Sequence, residues 1–129
     1  MFALNLNAGQ RESLVRICSI LATVDGTFCD EENDFIANLS EYLGLVEVNH
    51  SVSFEDSLSA FTSNKDKIIL LIDLINLAYV DNDYSANEKD FIDNVATSLN
   101  IESDKLRAIE EWICQGRRWQ EQGELLINN

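Results

Sequence analysis

A stretch of 24 residues occurs twice in this chain of 129 residues, and the second copy begins 56 positions after the first. The first copy covers residues 22–45 and the second covers residues 78–101, with nine of the 24 positions identical. In both copies, apolar residues recur at the three- and four-residue spacing of a helix that buries one face. Two related halves of this kind can bury their apolar faces against each other.

The composition favours helices joined by short turns. The chain has no proline, only five glycines and 46% apolar residues. No alternating pattern long enough for a useful strand is present. We therefore predict an all-α fold in a single domain over residues 1–129, a compact bundle of about six to seven helices built from two repeated αα-hairpins.

Apolar spacing and turn residues also predict where the helices lie. The stretch after Lys67 is apolar on nearly every face and should form the central helix, with Asp73 and Asn76 on a solvent-facing strip. The tail after Gly123 should fray. The predicted helices are 7–24, 30–43, a short one at 53–61, 63–80, one starting at Ser85 and one starting near Ser103, with a loop at 46–52.

Charge is distributed unevenly along the chain. The net charge is −14, and residues 17–64 contain nine acids but no Lys or Arg. Such a chain repels phosphate backbones, so we expect no nucleic-acid partner, whereas cations or a basic protein partner would be attracted. The three cysteines form no CxxC pair, and neither a signal-peptide layout nor a long apolar run is present. These features predict a cytoplasmic protein without a membrane span.

The repeat carries an acidic element, Asp-x6-Glu, as Asp25 with Glu32 and as Asp81 with Glu88. One explanation is helix capping, since Ser85 and Glu88 have the spacing of a capping box. The other is a cation site, because like charges crowded at one turn repel unless something neutralises them. Carboxylate oxygens favour Ca²⁺ or Mg²⁺. The sequence leaves both explanations open.

The spacing excludes an EF-hand. Counting Asp81 as position one places Ala86 at position six, where an EF-hand needs glycine. Position twelve is then Ile92, where the bidentate glutamate belongs. Counting from Asp25 fails at the same two positions, with Asp30 and Ile36.

The doubled pattern A-x-V-D-[GN]-x5-E-x2-[FI]-[FI], on a helix ending in L-[GN]-[LI], resembles the tellurite-resistance TerB family and its TerB-like relatives, over roughly residues 10 to 115. The resemblance implies a helical bundle of two related halves, with Asp25, Glu32, Asp81 and Glu88 as divalent-metal positions. It also implies a part in tellurite or general stress resistance, beside a protein partner that could be membrane-associated. Asn82 departs from the glycine of the pattern.

No catalytic pair or glycine-rich phosphate loop is visible, so we expect a protein that is not an enzyme. The single histidine, His50, should be solvent-exposed. Acids beside Cys29 should raise the pKa of its thiol and make it a slow nucleophile. The alternative to a metal-binding stress protein is an acidic protein-protein interaction module without a metal role, co-chaperone-like or scaffold.

Five residues near the C-terminus have separate predictions. Cys114 should lie in the core, as should Cys18 in the first helix. Trp112 should pack against the bundle. Trp119, with Arg117 and Arg118, would suit a contact with a partner or with a membrane surface.

Overall fold

A computed structural model describes residues 2–24, 26, 29–80 and 84–128. The regular secondary structure of these residues is helical, with no strand among them. The prediction of an all-α bundle is confirmed. A short 3₁₀ turn at Ala3–Asn5, which the sequence did not indicate, precedes six helices. They are α1 (Ala8–Leu21), α2 (Asp30–Tyr42), α3 (Phe54–Ser59), α4 (Asn64–Ala78), α5 (Ala86–Ser98) and α6 (Ser103–Asn128).

The helices begin where side chains satisfy free backbone N–H groups. Asn7, Cys29, Ser53, Ser63 and Ser85 each accept a hydrogen bond from the N–H three residues further on. Each such cap typically contributes about 1 kcal/mol, because it satisfies a donor that the helix itself cannot. The predicted starts of these helices are therefore set by local chemistry and lie within one or two residues of the observed ones.

α2 and α5 end in the same way. Gly44 and Asn100 have positive φ angles of 74° and 60°. The N–H of the following residue donates to the carbonyl five residues back, Leu45 to Ser40 and Ile101 to Ala96, at 2.9 Å in both cases. This is the Schellman arrangement, which a left-handed residue permits. Asn100 adopts this conformation as the residue type next most tolerant of it after glycine.

The starts and ends of the two copies fall 56 residues apart. The caps pair as Asn7 with Ser63 and as Cys29 with Ser85, and the left-handed residues pair as Gly44 with Asn100. α1 packs against α2, and α4 packs against α5. These matches concern only helix ends and neighbouring helices. The repetition of whole αα-hairpins therefore stays a prediction.

The core forms around α4, whose side chains from Ile69 to Ile75 are all buried. α4 contacts α1, α5 and α6, and α1 also covers α3. One prediction is wrong here. Asp73 is only 6% exposed and lies inside the bundle, not on a solvent strip, because neighbouring helices cover that face of α4 as well. Asn76 is half-buried.

α6 is longer than expected. It continues as a helix to Asn128, so the predicted fraying after Gly123 is wrong. The N-terminal part packs on α4 and α5 through Leu106, Ile109 and Ile113. No residue after Ile113 is buried among the described residues of α6. The second half of this helix therefore contributes no side chain to the core.

Candidate functional site

The four predicted acidic positions divide into two groups. Asp25 and Asp81 lie outside the described residues. Glu32 and Glu88 are the third residues of α2 and α5, and their exposed fractions are 3% and 2%. A carboxylate this buried needs hydrogen-bond partners, because an unpaired charge in the interior is costly.

Both glutamates belong to complete capping boxes. Glu88 Oε1 accepts from the backbone N–H of Ser85 at 3.0 Å, while Ser85 Oγ accepts from the N–H of Glu88 at 3.2 Å. Glu32 Oε1 accepts from the N–H of Cys29 at 3.2 Å, and Cys29 Sγ accepts in return at 3.4 Å. The first box uses a thiol where the second uses a hydroxyl. Sulfur is the weaker acceptor, so the first box should be the weaker of the two.

These contacts bear on the expected cation site. In the ranges that the structure describes, no three His, Cys, Asp or Glu side chains lie close enough to hold a metal ion together. In Glu32 and in Glu88, one carboxylate oxygen already accepts a hydrogen bond from a backbone N–H. The described residues alone therefore do not form a Ca²⁺ or Mg²⁺ site, and metal binding stays a prediction that depends on Asp25 and Asp81.

Cys29 behaves as the sequence predicts. Its hydrogen bond with the Glu32 side chain, followed by burial, raises the pKa of the thiol to about 11. Little thiolate is present at neutral pH, and the thiolate is the nucleophilic form. This cysteine is a helix cap and a poor nucleophile.

A polar network lies beside the start of α5. The Tyr84 hydroxyl donates to Glu110 Oε2 at 3.1 Å, and Arg107 donates to the other oxygen of the same carboxylate. Arg107 also reaches Asp93 at 3.1 Å. Burial first, and the charge of Glu110 second, hold the pKa of Tyr84 far above its ordinary value. The tyrosine therefore stays a donor, and Arg107 neutralises the acids around it.

A second contact ties α4 to α6. The Tyr79 hydroxyl lies 3.2 Å from Cys114 Sγ, and the Arg117 guanidinium lies 5.1 Å from the centre of the Tyr79 ring. The hydrogen bond with Cys114, ahead of burial, raises the pKa of Tyr79 to about 12. Cys114 is half-buried and hydrogen-bonded, not a core residue, whereas Cys18 is fully buried as predicted.

The acids of α2 are arranged differently from those of α5. Asp30, Glu31, Asp34 and Glu41 are all exposed. Helical spacing places Asp30, Asp34 and Glu41 on the face opposite Leu39, which packs on the core. Glu31 lies at the edge of that face, one turn before Phe35. Within the described ranges, none of the four forms an ion pair with a Lys or Arg. We call these four residues the acidic strip.

The equivalent face of α5 is nearly neutral. The residues 56 positions after the strip are Ala86, Asn87, Asp90 and Thr97, so only one acid remains. Both helices have the same length and the same kind of cap. The acidic strip is therefore not a requirement of this helix or of its fold.

Two charged residues in the interior were not found from the sequence. Arg16 is 8% exposed and donates to the hydroxyls of Ser13 and Ser57 at 2.9 Å each, which ties α1 to α3. Its only sequence signal is its place between Val15 and Ile17 on the apolar side of α1. Asp73 Oδ2 has no hydrogen-bond partner among the described residues.

Three further positions singled out in the sequence, His50, Trp112 and Trp119, are exposed. His50 is exposed, as expected. Trp112 contacts Phe2 with ring centres 6.3 Å apart but remains 47% exposed, so it packs at the surface and not in the core. Trp119 is 76% exposed. In the part of the chain that the structure describes, every helix is too short or too polar to cross a membrane.

Comparisons of this chain with protein-family models, curated proteins and solved structures give no match.

Proposed function

We propose that this protein is a non-enzymatic interaction module, and that the acidic strip on α2 binds a basic segment of a protein partner. The observation that carries the proposal is the exposure of Asp30, Glu31, Asp34 and Glu41 on the solvent side of α2 without a described basic side chain paired to them. Charges lining one face steer an oppositely charged partner and fix its orientation.

Asp30 and Glu31 lie in the first turn, where the helix dipole favours acids, but two features of the strip have a cost in the free protein. Asp30 and Asp34 are four residues apart on one helix, and like charges at this spacing destabilise a helix by about 0.2–0.5 kcal/mol. Glu41 lies in the last turn, where the helix dipole disfavours a negative charge. Lys or Arg side chains of a partner would relieve both effects. Tyr42, which is half exposed beside Glu41, would supply an aromatic contact.

The contrast with α5 supports the same proposal. Capping and solubility are available to both helices, yet the acidic strip of α2 has four acids and the equivalent positions of α5 have one. In the second half of the chain, Arg107 pairs with Asp93 and with Glu110. The first half contains no comparable base between residues 17 and 64. Negative charge is thus concentrated where a basic partner could use it.

A binding experiment with charge-matched variants tests the proposal. The probe is a fluorescent helical peptide with Lys at every fourth position, followed by anisotropy at 50 and 150 mM salt. The strip variant is Asp30→Asn, Asp34→Asn and Glu41→Gln. The control variant neutralises three exposed acids elsewhere and has the same net charge; its changes are Asp90→Asn, Glu102→Gln and Asp104→Asn.

We expect the strip variant to bind about tenfold more weakly, because three contacts of roughly 0.5 kcal/mol each are lost. The control variant should change affinity by less than about twofold. Equal weakening in both variants would show that the peptide responds to net charge alone, and that outcome would contradict the proposal.

A role in tellurite or general stress resistance is a further part of the proposal and rests on the family resemblance. It predicts that cells lacking the protein grow more slowly on tellurite and that the strip variant fails to restore growth. If the strip variant fully restored growth on tellurite, the stress role would not depend on the acidic strip.

A further inference from the structure

The second half of α6 exposes a row of large apolar side chains. Residues 114–128 extend the helix by about 22 Å at the usual rise of 1.5 Å per residue. Trp119 and Leu126 are 76% and 80% exposed. Isolated exposed apolar residues are ordinary, but a contiguous row on one helix indicates a contact surface.

The row follows a seven-residue repeat. Trp112, Trp119 and Leu126 are seven residues apart, and Gly116 and Gly123 fall between them at the alternating four- and three-residue steps of a helix-pairing seam. We call these five residues the α6 seam. It lies beside the face through which Ile109 and Ile113 pack on the bundle.

Neither backbone conformation nor close packing against the described residues requires a glycine at position 116 or 123. A Cβ atom added to Gly116 or to Gly123 would meet nothing within 4 Å, and neither residue has a positive φ angle. A glycine in a helix interior costs about 1 kcal/mol relative to alanine. A second helix that approaches closely beside the tryptophans would use the space that these glycines leave.

The charges beside the seam indicate which partner fits. Its flanking positions are Gln115, Gln120, Gln122 and Ile127, none of them charged. Residues 114–128 as a whole carry two bases and two acids, although the chain has a net charge of −14. A face built for a basic partner would have acids beside the apolar row. A face built for an anionic membrane would have Lys and Arg there.

We propose that the α6 seam pairs with the α6 seam of a second copy of this chain, in antiparallel orientation. A neutral surface lets two strongly acidic molecules meet without direct repulsion. Antiparallel pairing about residue 121 holds the two bundles at opposite ends of the helix pair. Ile113, the last buried residue of α6, and its copy then lie about 24 Å apart along the helix pair, at 1.5 Å per residue, which exceeds the Debye length of about 8 Å at physiological salt.

The same register matches large residues to small ones. Trp119 of one copy lies opposite Gly123 of the other, and Leu126 lies opposite Gly116. A groove of about 900 Å³ runs along α6 between Trp112, Trp119 and Asn76 of α4, and it would receive the second copy's Leu126. Such a helix pair buries on the order of 1,200 Å² in total, the lower limit of stable interfaces, and interfaces of this size are typically weak and transient.

Sedimentation equilibrium of the full chain from about 1 to 500 µM tests the proposal. The protein should change from monomer to dimer over this range. Leu126→Ala, on the seam, should weaken dimerisation by about tenfold or more. Its control is Leu125→Ala, which removes an equally large exposed side chain one position off the seam. That control should change the dissociation constant by less than about twofold.

Gly123→Ala separates pairing from folding. Alanine should raise the thermal stability of the monomer, since it improves helix propensity, and should weaken the dimer, since it fills the space opposite Trp119. A monomer at every concentration, equal effects of the two leucine variants, or co-sedimentation of the monomer with lipid vesicles through the seam would each overturn the proposal.

Discussion

Gln10 donates a hydrogen bond of 2.8 Å from Nε2 to Oδ2 of Asp66, a residue 56 positions away. That interval is the one that separates the two copies of the repeat. Gln10 is the third residue of α1 and Asp66 is the third residue of α4, and each stands three residues after its cap. The starts of α1 and α4 therefore meet through equivalent positions.

This contact is expected to stabilise the junction. Gln10 is buried, and its amide also donates to the carbonyl of Ala60 while its oxygen accepts from the N–H of Asn7. The Asp66 carboxylate lies at the positive end of α4. A double-mutant cycle with Gln10→Ala and Asp66→Ala should give a coupling energy of about 1–2 kcal/mol in urea unfolding. A coupling energy below about 0.3 kcal/mol would contradict this prediction. Lys65→Ala, at an exposed neighbour of Asp66, serves as the control.

The caps of α2 and α5 provide a matched pair of substitutions. Cys29 caps α2 through sulfur at 3.4 Å, whereas Ser85 caps α5 through oxygen at 3.2 Å. Cys29→Ser should stabilise the protein by about 0.5–1 kcal/mol, and Ser85→Ala should destabilise it by about 1 kcal/mol. Chemical denaturation measures both. If Cys29→Ser destabilised the protein, the Sγ contact would be doing more than capping.

The parts of this fold that the sequence predicted are those set by local chemistry. Helix starts depend on a polar cap, and the end of α2 depends on Gly44, so both are visible in the order of residues. The burial of Asp73 depends on which faces of α4 other helices cover. When a helix is apolar nearly all round, its sequence pattern does not indicate whether the face that carries a single acid is buried or exposed. Arg16 was missed for the same reason.

The candidate site also has features that local sequence predicts and features that depend on tertiary packing. The capping role of Glu88 could be predicted because its partner Ser85 is three residues away. The exposed acids of α2 are visible as a charge run, but their lack of ion pairs depends on where Arg107 and the other bases lie in space. The continuation of α6 to Asn128 had no local signal, since Gly123 indicated an end.

Metal binding can be separated from capping with substitutions that keep the caps. Glutamine serves in a capping box as glutamate does, so Glu32→Gln and Glu88→Gln should leave the free energy of unfolding within about 0.5 kcal/mol of the parent. If the acidic turns bind Ca²⁺ or Mg²⁺, calorimetry should show heat that Asp25→Asn with Asp81→Asn abolishes. Mn²⁺ and Zn²⁺ are tested beside them. Absence of heat and of a melting shift at millimolar metal would leave capping as the only role.

The buried Asp73 predicts an unusual dependence of stability on pH. Burial raises the pKa of this carboxyl to about 6, compared with about 3.8 for an exposed aspartate. Between these values the folded protein binds more protons than the unfolded chain, so the contribution of Asp73 to stability falls as pH rises from about 4 to about 6. Above that range the cost is constant, at about 2–3 kcal/mol.

Asp73→Asn should remove this pH dependence. The asparagine brings its own unpaired polar atoms, so the informative quantity is the difference from the parent at each pH and not its absolute size. In urea unfolding at pH 4, 5, 6 and 7, that difference should move in favour of the variant by about 2–3 kcal/mol between pH 4 and pH 7. Asp90→Asn, an exposed control on α5, should give a difference that is flat within about 0.5 kcal/mol. A flat profile for Asp73→Asn would show that the carboxylate is paired or hydrated in the folded protein.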